Sequence, residues 1–127
     1  MLIDSSALID YIRSADTDAA VRVRAIIDLS RAATTDVVIM EILAGARDDK
    51  HLGQLDSIVR SFEHLPVHAE DFEYAAALYR TCRRAGKTIR RLDDCLIAAV
   101  AIRNDVPVLH HDAGFDVLAR HTPLRVA

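Results

Sequence analysis

At 127 residues the chain is long enough to bury a real core and too short for two comfortable ones, so residues 1–127 are expected to form a single domain. Its 51% apolar and 28% charged residues, without repeats or low-complexity tracts, exclude a disordered or fibrous protein. The net charge of −3 argues mildly against a nucleic-acid partner, but Arg80, Arg83, Arg84, Lys87, Arg90 and Arg91 fall in one acid-free stretch that runs into Asp93 and Asp94. Such a block reads either as a solvated helix face or as a local phosphate-attracting patch, and its position beside Asp94 favours the patch. The opening Met1-Leu2-Ile3-Asp4 places an acid where a signal peptide needs basic and then apolar residues, and no run reaches membrane-spanning length. A cytoplasmic protein without a membrane partner is expected. Cys82 and Cys95 are too few and too far apart for a disulfide framework and read as reduced structural thiols.

In chain order, short apolar strands alternate with amphipathic helices, the pattern of an α/β fold with a parallel sheet wrapped by helices. Met1 to Ile3 reads as a strand, followed by a helix from Ser5 or Ser6 through Ile12 with a serine cap. Asp18 to Leu29 has helical spacing, Ala32 to Thr34 is a short strand, and Asp36 caps a helix over Val37 to Ala46. A further helix runs from Lys50 to Phe62, with Leu52, Leu55, Ile58 and Val59 on one face. Leu65-Pro66-Val67 suggests a short strand or extended link. Ala69 to Arg84 is a long helix ending near Gly86, and Asp94 to Asn104 another that stops ahead of Pro107. Val106 to His110 is a strand, Asp112 to Ala119 a short helix, and Leu124 to Val126 an edge strand.

Against this frame four acids stand out: Asp4, Glu41, Asp94 and Asp112, each beside or inside an apolar segment. An ionised carboxylate is costly to remove from water unless paired, hydrogen-bonded or bound to a cation. Asp4 and Asp112 each follow a strand and precede a helix, at the carboxyl edge of a parallel sheet where open α/β folds place their sites. Either alone could serve simply as a helix cap. Asp94 opens the apolar run Cys95 to Ile102, where the helix dipole favours an acid by about 0.3–1 kcal/mol. Glu41 has no such explanation, because it is the only ionisable residue in Val37 to Ala46, a stretch apolar on all sides. Two carboxylates about 5 Å apart repel by roughly 3 kcal/mol at an effective dielectric near 20, so a clustered quartet needs cations.

Hard oxygen donors suit Mg²⁺ or Mn²⁺, and a carboxylate site that leaves coordination open suggests phosphate chemistry, in a two-metal arrangement without any protein nucleophile. No Gly-rich phosphate loop and no nucleophile elbow competes. His110 and His111 read as structural or supporting residues, since imidazole suits zinc better.

Asp4-Ser5-Ser6 with Leu8-Ile9, Glu41-Ile42-Leu43-Ala44-Gly45, Asp94-Cys95-Leu96-Ile97-Ala98-Ala99, and His111-Asp112 with Phe115 resemble, in order and spacing, the four signature blocks of PIN-domain nucleases, most closely the VapC-type toxins of type II toxin–antitoxin pairs. The resemblance covers essentially the whole chain. It implies a three-layer α/β/α fold with a central, mostly parallel sheet, Mg²⁺- or Mn²⁺-dependent endoribonuclease activity, a homodimer, and a cognate antitoxin in a toxin–antitoxin hetero-oligomer. It also implies catalytic, metal-binding roles for Asp4, Glu41, Asp94 and Asp112, with Ser6 as a supporting hydroxyl. Relatives often carry a further acid two residues after the fourth; here that position is Gly114, with Asp116 as the nearest auxiliary acid, so one bound ion is the safer expectation. Asp93 is auxiliary at most.

With no Trp, three Tyr and three Phe, the chain offers few platforms for stacking bases, so phosphate contacts and RNA shape should dominate, which favours a folded RNA such as tRNA. Arg84, Lys87, Arg90 and Arg91 are the expected RNA contacts. Two alternatives remain: a catalytically silent PIN-like protein-binding module, against which the intact quartet argues, and a small aspartyl-phosphate phosphatase, which would want an acid where Ser6 stands.

Overall fold

In the computed structural model, which describes residues 1–127, four two-residue strands pair only in parallel: β1 (Leu2–Ile3), β2 (Ala33–Thr34), β3 (Glu63–His64) and β4 (Val108–Leu109). Their spatial order is β3-β2-β1-β4. Seven helices flank them: α1 (Ser5–Ile12), α2 (Asp18–Asp28), α3 (Asp36–Ala44), α4 (Asp49–Arg60), α5 (Ala69–Arg84), α6 (Leu92–Arg103) and α7 (Ala113–His121). The result is a three-layer α/β/α architecture. The sheet is central because β1, β2 and β4 are buried, as strands covered by helices on both faces must be. Isoleucines, leucines and valines from sheet and helices join in one continuous core with Phe115, Cys82 and Cys95.

The order matters for the site. From β1 the chain steps to β2 and β3 on one side, then returns to place β4 on the other, so β1 and β4 bound a topological switch point, where open α/β sheets bind ligands. Leu2 lies opposite Val108 and Ile3 opposite Leu109, and Asp4 N–H donates to the Leu109 carbonyl at 2.9 Å. Asp4 and the His110 to Asp112 segment therefore leave the sheet side by side.

Several expected boundaries move, each for a local reason. The third strand lies at Glu63–His64, and Leu65 to Val67 is the extended link that follows it: the strand's residues are exposed, so no apolar signal marks it, whereas Leu65 turns into the core. Asp4, not a serine, caps α1. Thr35 occupies the cap position of α3, which leaves Asp36 to accept from His64 Nε2 and Val67 N–H, both at 2.8 Å. That pairing ties α3 to the end of β3. Helix α6 starts at Leu92, two residues before Asp94, with Arg91 at its N-cap. The last segment pairs with the sheet only through a parallel bridge from Val126 to Val108. Helix α3 is not apolar and buried all round, since Met40 is 59% exposed.

Candidate active site

Asp4 is 3% exposed. Its Oδ2 accepts from Ser6 N–H at 3.0 Å and from Ser6 Oγ at 2.5 Å. The same hydroxyl accepts from His111 N–H at 2.9 Å, so Ser6 fixes the Asp4 carboxylate and staples α1 to the segment after β4. Burial, and to a lesser degree Asp112, raise the Asp4 carboxyl above its ordinary range in spite of these donors.

Asp94 is 4% exposed, in the first turn of α6. Burial first, then repulsion from Asp4 and Asp112, push its carboxyl up to about 7, which outweighs the helix dipole. Asp112 caps α7 by accepting from Gly114 N–H at 2.9 Å. A Cβ built on Gly114 would lie 3.2 Å from Asp94 Oδ2 and 3.4 Å from Asp112 Oδ1, so these two oxygens bracket one small space. Glu41 reaches the group from α3: its side chain is 15% exposed, burial raises its carboxyl, and Asp4 and Asp93 add to that. One oxygen accepts from Arg91 Nη2, while Oε1 is buried with no partner.

The four carboxylates thus feel one another, with Asp4, Glu41 and Asp112 all acting on Asp94. They do not close into a cage, as no three His, Cys, Asp or Glu side chains sit together as a metal-ligand cluster. An open arrangement suits Mg²⁺ or Mn²⁺, which take one or two carboxylates and fill the rest with water and phosphate oxygens. An orphaned buried carboxylate oxygen and a Cβ-free space between two others are features such an ion fits.

Beside Asp94 and Asp112 a cavity of about 460 Å³ opens, bordered by Ile89, Arg90, Arg91, Gly114 and Val117. Of the expected basic contacts, Arg90 and Arg91 thus reach the site, while Arg84 and Lys87 are exposed at the end of α5 and the turn beyond it, around Gly86 at φ +82°. Arg91 is not a free cation but is committed to Glu41 and approaches Asp93 at 3.9 Å. Asp116 is not part of the quartet's mutual repulsion; it faces His110 Nε2 at 3.3 Å and is 54% exposed. Two features escaped the sequence reading. Asp10, one turn beyond Ser6, accepts from Thr17 Oγ1 and pairs with His111 Nδ1 at 2.6 Å, adding a second tie between α1 and the segment before Asp112. The four-residue spacing from Ser6 to Asp10 was the available signal. The Arg91 to Glu41 pair spans fifty positions and had none. Cys95 behaves as anticipated: burial first, then Cys82 and Asp94, push its thiol up to about 12, which makes it inert.

Acids at the switch point of a small parallel sheet are the mark of a metal-dependent α/β phosphate enzyme, and among these the PIN-domain family model matches residues 1–121. The chain belongs to the PIN-domain family, and the relatives it matches along its full length include VapC ribonucleases. It is 45% identical to Ribonuclease VapC11 of Mycobacterium tuberculosis, across 100% of this chain and 97% of that protein. Among solved structures it resembles VapBC-5 of Mycobacterium tuberculosis, a member of the VapBC family of toxin–antitoxin systems (TM-score 0.67, 27% identity, 98% of this chain and 94% of that one). VapBC2 of Rickettsia felis, bound to a DNA fragment from its promoter, shares the fold at TM-score 0.79 and 18% identity, covering 99% and 96% of the two chains.

Proposed function

We propose that this chain is a VapC-type toxin: an endoribonuclease that hydrolyses phosphodiester bonds with Mg²⁺ or Mn²⁺ held by Asp4, Glu41, Asp94 and Asp112. The observation that carries this reading is the space at Gly114, bracketed by Oδ2 of the buried Asp94 and Oδ1 of Asp112, while Glu41 keeps a buried oxygen without a partner. Buried acids so placed need a counter-charge, and a divalent ion shared among them supplies one. When bound, a divalent ion supplies Lewis acidity toward the phosphate and an activated water for in-line attack. The chain's own residues prepare that chemistry. Ser6 and the start of α1 hold Asp4 in place, Asp112 is held by the N-terminus of α7, and the core behind α6 keeps Asp94 out of bulk water.

Arg84, Lys87, Arg90 and Arg91 line an approach for RNA phosphates, and the scarcity of aromatic side chains favours a structured RNA such as tRNA over a stacked single strand. Residues 1–127 are proposed to work as one domain in the cytoplasm, where a toxin acting on RNA meets its substrate. No helix is long and apolar enough to cross a membrane. The proposed protein partners are a cognate antitoxin in a hetero-oligomer, by likeness to the VapBC systems, and a second copy in a homodimer, as the resemblance to VapC-type toxins implies. Asp116 and Asp93 have at most an auxiliary role.

The test is incubation of purified, antitoxin-free protein with total RNA plus Mg²⁺ or Mn²⁺, mapping new ends, beside D4N, D94N and a chelator. Both substitutions should lower cleavage by about 100-fold or more, and chelation should abolish it. RNA cleavage that survives both substitutions would remove the metal mechanism. Turnover of a small phosphomonoester instead of RNA would point to a phosphatase, and neither activity to a silent binding module.

A further inference from the structure

The most unusual contact at the site is an internal one. Arg91 Nη2 donates to a Glu41 oxygen, although the two residues arrive on different elements, α3 and the N-cap of α6. Glu41 is 15% exposed and Arg91 50% exposed, so the carboxylate is held inside while the guanidinium covers it from the open side. The other Glu41 oxygen is buried and has no partner. Arg91 is therefore the one cation in direct contact with the quartet, and it also borders the cavity that contains Asp94 and Asp112. It ends the acid-free basic stretch, so an approaching polyanion meets this same guanidinium. A guanidinium binds a carboxylate and a phosphodiester through the same forked donors and can satisfy only one fully at a time.

We infer that Arg91 is a latch on the carboxylate cluster: it holds Glu41 as an internal counter-ion until an RNA phosphate draws it away, whereupon Glu41 becomes available to the divalent ion. RNA and metal then bind cooperatively, each favouring the state in which Arg91 has left Glu41. This rests on the metal-dependent ribonuclease reading above. Linkage makes the effect reciprocal, since whatever factor RNA adds to metal affinity, metal adds to RNA affinity. The latch would keep the protein poorly loaded with metal when no substrate is present.

The experiment is Mn²⁺ titration of the intact protein followed by electron paramagnetic resonance. Wild type, R91A and R91Q are each measured alone and with a saturating phosphorothioate RNA oligonucleotide, which resists hydrolysis. Alone, both variants should bind Mn²⁺ roughly 10-fold more tightly than wild type, because the competing cation is gone. The oligonucleotide should tighten Mn²⁺ binding to wild type by a similar factor and leave the variants nearly unchanged. R91Q keeps the side chain's length, so the comparison stands if R91A folds poorly. Equal or weaker Mn²⁺ binding in the variants, or equal tightening by RNA in all three proteins, would overturn the latch while leaving the ribonuclease reading intact. Failure of all three to bind Mn²⁺ would overturn both.

Discussion

Asp94 is where sequence, burial and charge meet. An aspartate in the first turn of a helix normally gains from the dipole, yet this one is held near neutrality by burial and by Asp4 and Asp112. The consequence for stability has a definite sign. Asp94 titrates at its ordinary value of 3.8 in the unfolded chain and at about 7 in the folded one. The folded state therefore keeps a proton that the unfolded state releases, and stability is lost as pH rises from about 4 to about 7. Asp4 and Glu41 are raised for the same leading reason and act in the same direction. With chelator present, the wild-type Tm should fall across that window, and D94N should flatten the fall. Above pH 7 the D94N protein should melt higher, by several degrees, and near pH 4 the two should coincide. Calorimetry at pH 4, 6 and 8 measures this directly; a D94N protein less stable than wild type at pH 8 would show that Asp94 is already paired without an ion.

The short helix α7 carries two opposing demands at Gly114. It follows the Asp112 cap within the first turn, where alanine would favour the helix by up to about 0.5–1 kcal/mol. Its missing Cβ, however, leaves the space between Asp94 Oδ2 and Asp112 Oδ1: a Cβ there would lie 3.2 Å from the Asp94 oxygen, which would have to yield by a few tenths of an ångström, and 3.4 Å from the Asp112 oxygen, in ordinary contact. G114A should therefore fold at least as stably as wild type while losing about 10-fold or more of its RNA cleavage, since small displacements of reacting groups are costly. Unchanged activity would show that the space is not used. The sequence marked this residue as a departure without revealing why, because a cavity between two side chains belongs to the tertiary arrangement. The alternation of strands and helices was legible because burial leaves continuous apolar runs at β1, β4 and α6 and one apolar face at helical spacing on α5. The acids were legible for the same reason, as costly residues at apolar boundaries. β3 was not, because an exposed two-residue edge strand leaves no apolar pattern. Nor was the commitment of Arg91 to Glu41, since a long-range ion pair is specified only by how α3 and α6 pack.

Across the whole surface, a chain of net charge −3 must bind a polyanion through a local field rather than an overall one. The proposed field starts where α5 ends: Arg83 and Arg84 complement the negative end of that helix, Lys87 follows the turn at Gly86, and Arg90 borders the cavity beside Asp94 and Asp112. RNA approaching from elsewhere meets an acidic molecule, so the patch should orient as well as attract. Counterion release gives this a measurable form. For single-stranded contacts each neutralised phosphate contributes about 0.7 to the slope of log K against log salt, and about 0.9 for duplex. Replacing Arg84, Lys87 and Arg90 together by Gln should therefore reduce the slope by roughly 2 to 3 and weaken RNA binding most at low salt. All three are exposed, so folding should be untouched and the melting temperature serves as the control. A slope unchanged by the triple substitution would move the RNA path off this face, leaving Arg91 bound to Glu41 for purely structural reasons.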